Sequence, residues 1–303
     1  MTAPGAHAPR LSLLLVDGHA YAYRSFHAIR NLSSPSGQPT NAIFGFVKAL
    51  KTLGSSLAPT HLAVVWDGGL AAERLALLPE YKAQRPPMPD ALEAQLDGMV
   101  FWLAASGIFS LCRDGVEADD AIASLASHAA GSGVEVVIAS ADKDFLQLVS
   151  PRVGILNPND KTGRIWSAED VVAKTGVEPG QIVDWLCLVG DAVDNIPGIP
   201  GVGAKTAAEL LRQFGSCRRL LEQVETIASD RIRTSLVEGA PNLHRNEEII
   251  RLKADLDLQV ALDQLKVRPP DRGRLASLYR QWGFRSLLAE IEAADSTQGT
   301  LDL

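Results

Sequence analysis

Nine acidic residues lie in five short motifs whose spacing suits metal-ion chemistry. They are Asp17 in LLLVDG, Asp67 in VVWDGG, Glu117, Asp119 and Asp120 in GVEADDAIA, Asp142 and Asp144 in ASADKDF, and Asp191 and Asp194 in GDAVDNIPG. Carboxylates that converge repel one another strongly unless cations neutralise them. Hard divalent ions such as Mg²⁺ or Mn²⁺ prefer oxygen ligands. Two such ions about 4 Å apart can activate a water and stabilise the leaving oxygen of a phosphodiester.

A simpler interpretation treats each acid separately. Asp after a strand and Asp-Gly pairs are common in turns and helix caps, so one such residue would carry little weight. Independent caps do not explain three strand-end acids together with an ExDD, a DxD and a DxxD motif in one chain. The group therefore favours a metal-dependent site.

The acids follow apolar runs that predict buried parallel strands at Leu11–Val16, His61–Trp66 and Val134–Ala139. Helical patterns such as Ala42–Leu53 and Asp90–Ser106 separate these runs. This alternation predicts an α/β fold with a mostly parallel central sheet flanked by helices. Residues just past the carboxyl ends of such strands share one edge of the sheet, where ligands normally bind.

The pattern changes along the chain. Val153–Leu156 and Arg164–Trp166 flank a turn-rich stretch and predict a hairpin, and Ser167 with Asp170 has the spacing of a capping box. After Gly176 we expect helices joined by Gly/Pro turns, without further strands. The expected organisation is a catalytic α/β domain, a helical DNA-binding region and a polar tail, at residues 1–176, 177–294 and 295–303.

A glycine-rich turn lies in the second region, in the sequence IPGIPGVGAKTAAELL at residues 196–211. It resembles a helix-hairpin-helix in its longer helix-three-turn-helix form. We expect Gly201 and Gly203 to allow a tight turn and close backbone approach, so that a β-branched side chain at 203 is not tolerated. The following helix would direct backbone N–H groups at a DNA phosphate, with Lys205 and Thr206 nearby.

Two alternatives exist for this turn. One is a glycine-rich connection between helices with no binding role. The other is a P-loop, because Gly198 and Gly203 have the GxxxxG spacing. Ala204 separates the last glycine from Lys205 and no suitable strand precedes the turn, so the P-loop is rejected.

A stretch that contains several basic residues follows the second strand. Arg74, Tyr81, Lys82 and Arg85 lie in AERLALLPEYKAQRPPMP, and their spacing would allow the last three to share a helix face. Near a metal site, Lys82 and Arg85 would hold the scissile phosphate while Tyr81 stacks on a base. Taken alone, the segment fits a solvated basic helix end better.

Composition limits the alternatives. Hydrophobic residues make up 46% of the 303, and no apolar run approaches the roughly 20 residues that span a bilayer. We therefore expect a cytoplasmic protein. The three cysteines and six histidines show no zinc-site spacing. The net charge of −7 argues against nucleic acid binding unless the acids converge in one metal site.

With these motifs in order, the chain closely resembles the 5′-nuclease family of flap endonucleases and 5′-3′ exonucleases, and within it the 5′-nuclease domain of bacterial DNA polymerase I. The resemblance extends from about Leu11 to Leu258. It is carried in family order by VDGHAYAYRSFHA, VVWDGG, YKAQRPPMP, GVEADDAIA, ASADKDFLQLV and GDAVDNIPGIPGVGAKTA.

The resemblance implies two divalent metal ions. The first group would be Asp17, Asp67, Glu117 and Asp119 with Asp120 adjacent, and the second Asp142, Asp144, Asp191 and Asp194. The resemblance also places Tyr23 and Arg24 near the 5′ end of the substrate. It assigns Arg74, Lys82 and Arg85 to a helical arch, at about residues 70–90, through which a 5′ flap passes. The helix-three-turn-helix would bind K⁺ through backbone carbonyls.

Two features depart from the family pattern. Residues 68–72 lack the lysines often found at the start of the arch, which would weaken steering of the flap. No polymerase region follows in this sequence, so we expect either a stand-alone nuclease or an excised domain, and the polar tail favours the first.

The resemblance therefore implies a monomeric, nucleoid-associated 5′ nuclease that removes 5′ flaps or RNA primers in replication and repair. One alternative is a single-strand ribonuclease on a similar acidic core, which the DNA-gripping turn disfavours. Another is a DNA-junction binder with an inactive site, which the complete set of acids disfavours.

The chain ends in QGTLDL, in which Gln298, Leu301 and Leu303 resemble short peptides that bind sliding clamps. Such a peptide would place two leucines in an apolar pocket and tether the nuclease at replication sites. The alternative is an ordinary polar tail.

Overall fold

The computed structural model describes residues 12–298, with side chains described through residue 293. Within that range the strands are β1 (Ser12–Asp17), β2 (His61–Trp66), β3 (Phe109–Cys112), β4 (Glu135–Ala139), β5 (Val153–Leu156), β6 (Ile165–Trp166), β7 (Gly190–Asp191) and β8 (Ile196–Pro197). The helices are α1 (Gly18–Ala28), α2 (Asn41–Leu57), α3 (Ala72–Leu77), α4 (Asp90–Ala105), α5 (Ala118–Gly131), α6 (Ala168–Thr175), α7 (Ile182–Val189), α8 (Ala204–Phe214), α9 (Cys217–Glu222), α10 (Asp230–Ile250), α11 (Arg272–Trp282) and α12 (Arg285–Gln298).

The chain forms two compact units that interleave along the sequence. The first comprises the described residues of Met1–Trp66, Pro87–Leu111 and Gln259–Leu303, and the second comprises Asp67–Pro86 and Cys112–Leu258. Among the described residues, no helix is both long and apolar enough to cross a membrane.

The first unit is built on β1 and β2, which pair in parallel from Leu13 opposite His61 to Asp17 opposite Val65. Every residue of β2 is buried, as its apolar sequence HLAVVW predicts. Helix α2 packs against α1 and α4. The buried amide of Gln95 on α4 accepts hydrogen bonds from the Ala42 and Ile43 N–H groups, which satisfies free donors in the first turn of α2.

The second unit contains β4 and β5, which pair in parallel from Val136 opposite Val153, and β6, which is antiparallel to β5. Helix α5 packs against β4, and its alanine-rich face is almost entirely buried. Short side chains there allow a close approach of helix and strand. In the same unit, β7 and β8 form a two-stranded antiparallel hairpin, with Asp191 opposite Ile196.

The predicted fold class is confirmed: the protein is α/β with a mixed, mostly parallel sheet and many helices. The expected strands at Leu11–Val16, His61–Trp66 and Val134–Ala139 correspond to β1, β2 and β4, and the expected hairpin is β5–β6. The Ser167–Asp170 capping box is also present.

Several local features differ from the predictions. Strand β3 was not predicted, because its FSLC sequence is too short for periodicity to identify, and no strands were expected where β7 and β8 lie. Residues 79–84 form consecutive turns after α3, so the expectation that Tyr81, Lys82 and Arg85 share a helix face was wrong. Pro79 explains the break, since proline is incompatible with a helix interior.

Helix α12 continues to Gln298, so the first residues of the expected tail are helical. Leu301 and Leu303 of the clamp-binding motif lie outside the described residues, as does the side chain of Gln298.

Candidate metal and nucleic-acid site

Asp17 is the last residue of β1 and lies in the first unit. Its Oδ1 accepts a hydrogen bond of 3.0 Å from the Ala20 N–H group, so the carboxylate caps α1 directly after the strand. A Cβ atom on Gly18 would lie 2.7 Å from the Trp66 ring and 2.9 Å from the Val65 carbonyl oxygen. Only glycine therefore permits this direct passage from strand to helix, which fixes the Asp17 carboxylate at the strand end.

The next acids surround the start of α5 in the second unit. Asp67, which directly follows β2, accepts a 2.9 Å hydrogen bond from the Ala118 N–H group through its Oδ1. Glu117 is the N-cap residue of α5, and Asp119 and Asp120 lie in its first turn. The positive end of the helix dipole stabilises negative charge at these positions. Four of the predicted acidic residues therefore lie at the start of α5.

Glu117 is the most enclosed of these acids, with only 1% of its surface exposed. Its carboxylate receives hydrogen bonds from Lys82 Nζ at 2.5 Å, the Tyr81 hydroxyl at 3.1 Å and the Ala71 N–H group at 3.1 Å. Burial alone would raise the pKa of Glu117. Attraction to Lys82 and Arg74 and the donated hydrogen bonds outweigh it and lower that pKa, so Glu117 is held as an anion.

Asp120 has a different environment from its neighbours. Arg74 donates two parallel hydrogen bonds of 2.8 Å to its two oxygens, and the Lys253 N–H group donates a third at 3.0 Å. The Arg74 Nε also donates to the Ile249 carbonyl at 2.8 Å. Both side chains are buried, so this bidentate pair anchors α3 and the end of α10 to α5. The carboxylate of Asp120 is thereby committed to Arg74, and Arg74 is enclosed rather than available to a flap.

Another group of acids follows β4 and lines the β7–β8 hairpin. Asp144, Asp191 and Asp194 each present a carboxylate oxygen, and these three oxygens lie within 4.8 Å of one another. Asp142 Oδ1 accepts a 2.9 Å hydrogen bond from the Asp144 N–H group. The loop after β4 and the hairpin therefore bring together residues about 50 positions apart in sequence. The strand-end argument applies only to Asp142 and Asp144, because Asp191 and Asp194 lie on a hairpin that was not predicted.

Burial and mutual repulsion raise the pKa of two acids in this group. Burial, followed by the charges of Asp194 and Asp191, raises the pKa of Asp142. Burial and the charges of Asp142, Asp194 and Asp191 raise the pKa of Asp144 well above its ordinary value. The Asp144 Oδ1 atom is shielded from solvent and has no hydrogen-bond partner among the residues that the structure describes. An oxygen in this situation is suited to a cation.

Protein cations offset part of this charge. Arg85 contacts Asp194 at 2.5 Å, Lys82 lies 4.0 Å from the same carboxylate, and Lys143 contacts Asp191 at 3.2 Å. Sequence reasoning missed Lys143, although its position inside the DKD motif was a signal. It also missed Gln84 and Asn195, which hydrogen bond to each other at 3.1 Å.

The donor set fits hard divalent ions. Asp144, Asp191 and Asp194 offer converging oxygens, and Asp142 is adjacent. Asp144 also has a shielded Oδ1 atom with no hydrogen-bond partner among the described residues. Carboxylates of this kind suit Mg²⁺ or Mn²⁺ rather than ions that prefer nitrogen or sulfur.

Other predicted residues have varied positions. In the first unit, Tyr23 lies on α1 and stacks on His27 with ring centroids 6.4 Å apart, and Arg24 is exposed. Tyr81 is only 4% exposed, so its buried ring is not presented for stacking on a base. Lys205 is exposed and Thr206 half-buried in the first turn of α8.

The glycine-rich turn before α8 corrects one prediction. Gly201 has a φ of +81°, which favours glycine, whereas Gly203 has a φ of −92°, and a Cβ atom there would meet open space. The close backbone approach occurs instead at Gly198, where a Cβ would lie 2.4 Å from the Val189 carbonyl. The steric argument made for Gly203 was therefore wrong, since Gly201 and Gly198 are the positions that need glycine. Gly203 is an exposed N-cap without a side-chain cap on the helix.

Comparisons with known proteins agree with these features. A family described as 5′-3′ exonuclease, N-terminal resolvase-like domain, matches residues 12–176, and 5′-3′ exonuclease, C-terminal SAM fold, matches residues 177–273. A 5′-3′ exonuclease of Aquifex aeolicus is 39% identical over 282 residues, which cover 93% of this chain and 95% of the relative. DNA polymerase I of Mycobacterium tuberculosis is 38% identical over 94% of this chain but only 32% of the polymerase, so the chain spans about a third of that relative.

Solved structures give a similar result. The T5 5′-exonuclease with bound divalent zinc ions has a TM-score of 0.67 and 25% identity, with 89% of this chain and 99% of that chain covered. The catalytic core of Rad2 in complex with a DNA substrate has a TM-score of 0.62 at 17% identity, and 93% of each chain is covered. The likeness to Rad2 is one of fold.

The raised pKa of Asp144 predicts an unusual stability change. A carboxyl whose folded pKa exceeds its unfolded value binds protons more tightly when folded, so stability falls as pH rises from about 4 through the raised pKa. At pH 7.5 in EDTA, Asp144→Asn should therefore raise the free energy of unfolding by about 1 kcal/mol. A change of that size raises the Tm by a few degrees. Mn²⁺ should raise the Tm of the unsubstituted protein more than that of the variant.

Differential scanning fluorimetry in EDTA and in Mn²⁺ checks this, with Asp255→Asn, at an exposed aspartate of the same unit, as the matched control. A lower Tm of Asp144→Asn in EDTA would contradict the repulsion argument.

Proposed function

Since the two family matches together cover residues 12–273, the chain belongs to the 5′-3′ exonuclease family, and from that premise we propose that it is a structure-selective 5′ nuclease using two divalent ions. Its substrates would be DNA with 5′ ends or 5′ flaps, including RNA primers, in replication and repair. The observation that carries the proposal is the convergence of Asp144, Asp191 and Asp194 within 4.8 Å beside protein cations.

In this proposal the second group, Asp142, Asp144, Asp191 and Asp194, holds one Mg²⁺ or Mn²⁺ ion. The family resemblance assigns the other ion to Asp17, Asp67, Glu117 and Asp119. Bound ions would supply Lewis-acid activation of water and neutralise charge at the scissile phosphate. Asp120 acts through Arg74 as an anchor of α5, because its oxygens are occupied.

Lys82 and Arg85 contribute positive charge beside these acids. Each is already held against Glu117 or Asp194, so neither needs a large conformational search to reach a phosphate near the carboxylates. An ordered cation costs less reorganisation when charge develops in the transition state. We propose that these two side chains orient the scissile phosphate, and that Tyr23 and Arg24 contact the 5′ end.

The start of α8 is the proposed grip on duplex DNA. Its first turn contains no acid and Gly203 leaves the helix end sterically open, so backbone N–H groups can approach a phosphate beside Lys205. Contacts of this type hold the backbone without reading sequence. A K⁺ ion at the preceding turn and a clamp contact by residues 298–303 are proposed on the sequence resemblance alone.

The first functional test is cleavage of a labelled 5′-flap duplex. Asp142→Ala should lower the single-turnover rate by at least about a hundredfold, the scale of losing several kcal/mol of metal-assisted stabilisation. Flap affinity measured in Ca²⁺ should change only a few-fold, and EDTA should abolish cleavage.

The exposed Asp255→Asn should match the unsubstituted protein. Full activity of Asp142→Ala would reject the two-metal proposal. Preferential cleavage of single-stranded RNA would instead support a ribonuclease, and tight flap binding without cleavage in Mg²⁺ or Mn²⁺ would support a junction binder.

The duplex grip predicts separate effects of two glycines. Gly203→Ala should keep the Tm of the unsubstituted protein, because its φ of −92° suits alanine, but should weaken duplex binding several-fold by placing a methyl group at the helix end. Gly201→Ala should lower the Tm, because its φ of +81° is strained for alanine. Lys205→Ala should reduce the slope of log binding constant against log salt concentration by about one, because it removes one cation that contacts a phosphate.

Fluorescence anisotropy with two duplexes of unrelated sequence measures the affinities. Unchanged binding by both Gly203→Ala and Lys205→Ala, or losses confined to one sequence, would argue against this role for the start of α8.

A further inference from the structure

The proposed phosphate-orienting cations lie on a segment with little regular structure. Residues 80–85, here called the basic segment, form turns, and Lys82 has a φ of +55°, which L side chains rarely adopt. Among its side chains only Tyr81 and Lys82 are buried. Neither helix hydrogen bonds nor a continuous apolar face therefore explains how this segment keeps Lys82 and Arg85 against the acids.

The side chain of Asn195 supplies a connection at both ends of the segment. Its Nδ2 donates a hydrogen bond of 2.9 Å to the Glu80 carbonyl oxygen, and its Oδ1 accepts one of 3.1 Å from Gln84 Nε2. The two contacts bracket Lys82. A single amide thus holds the segment on either side of its buried lysine.

The residue before Asn195 holds the middle of the segment. The Lys82 N–H group donates a 3.0 Å hydrogen bond to the Asp194 carbonyl oxygen. The Asp194 carboxylate contacts Arg85 at 2.5 Å. Asp194 and Asn195 therefore engage the segment through backbone, charge and amide contacts, while Asp194 also belongs to the carboxylate group.

The backbone of Asn195 is suited to this role. Its φ is +58°, a left-handed conformation that asparagine tolerates better than most residues. This conformation lies in the turn between β7 and β8, directly after Asp194. It places the carboxylate and the amide on consecutive residues so that both contact the basic segment.

Apolar packing does not replace these contacts. A cavity of about 650 Å³ lies beside them and is lined by Glu80, Asn195, Leu78, Ala192 and Gly198, among others. The space next to the Asn195 amide is therefore unfilled by side chains. The polar contacts of Asn195 and Asp194 hold the segment on this side.

We propose that Asn195 is a positioning residue that clasps the basic segment so that Lys82 and Arg85 stand beside the carboxylates before substrate arrives. This role rests on the proposed nuclease function, in which those two cations orient the scissile phosphate. Asn195 itself touches neither metal ligand oxygens nor phosphate in this mechanism. Loss of its side chain loosens the segment at Glu80 and Gln84, while the contacts of Asp194 and Glu117 and the carboxylate group remain in place.

The direct test is hydrogen–deuterium exchange of the substrate-free protein. Asn195→Gly removes the amide while permitting the same φ, and should speed exchange of the Lys82 and Arg85 N–H groups by about tenfold, the scale of losing one to two modest hydrogen bonds. Gln84→Ala should give a smaller increase, because it removes one contact.

Asn195→Ala and Asn31→Ala form a matched pair. Asn31 has a φ of +57° and is exposed, so alanine there meets the same backbone strain without the clasp. Asn195→Ala should speed exchange in the basic segment, and Asn31→Ala should not. Unchanged exchange in Asn195→Gly, or equal changes in the two alanine variants, would overturn the proposal.

Single-turnover cleavage of the 5′-flap duplex tests positioning. Asn195→Gly should slow cleavage about tenfold with an unchanged Kd for the flap in Ca²⁺. In a background that already carries Lys82→Met and Arg85→Met, it should slow cleavage little further, because Asn195 acts through those residues. Fully additive losses would contradict that route.

These measurements separate the two proposals. If the unsubstituted protein does not cleave flaps, the proposed function fails, and the exchange comparison alone then supports or overturns the clasp. If it does cleave them, unchanged cleavage by Asn195→Gly overturns the positioning role while leaving the nuclease intact.

Discussion

Repulsion among carboxylates governs the arrangement around this site. Asp142 and Asp144 lie beside Asp191 and Asp194, and burial together with these neighbouring charges raises the pKa of both Asp142 and Asp144. Such a group is stable only where cations or protons reduce its charge, because like charges in a partly desolvated environment interact strongly. A site that binds metal ions is therefore one in which the protein has given up stability that the ions restore.

The surrounding contacts follow from that constraint. Lys82 hydrogen bonds to Glu117 and lies near Asp194, Arg85 contacts Asp194 directly, and Lys143 contacts Asp191. These cations neutralise only part of the charge, since within residues 12–298 the shielded Oδ1 atom of Asp144 has no hydrogen-bond partner. The remaining negative charge favours the binding of divalent ions. In the proposed function, Lys82 and Arg85 would also orient a phosphate that approaches the carboxylates.

Sequence alone predicted what depends on local pattern. Strand periodicity predicted β1, β2 and β4, whose carboxyl ends carry Asp17, Asp67, Asp142 and Asp144. The β7–β8 hairpin, which brings Asp191 and Asp194 to Asp144, was not predicted, because its two-residue strands are too short for periodicity to identify. The pairing of Arg74 with Asp120 and with the Ile249 carbonyl joins positions 46 and 175 residues apart, which local pattern cannot reveal. The turns at residues 79–84 and the role of Asn195 likewise depend on long-range contacts that form only in the folded chain.

The most direct test of the account is the anomalous diffraction of crystals grown with Mn²⁺. We expect a strong anomalous peak for an Mn²⁺ ion bound by carboxylate oxygens of Asp144, Asp191 and Asp194. The distance from the ion to each oxygen should be about 2.0–2.3 Å, the range of hard divalent ions with oxygen ligands. A second peak should lie beside Glu117 and Asp119, about 4 Å from the first. Saturating Mn²⁺ with no peak among the three aspartates would contradict the claim that their repulsion is resolved by metal ions.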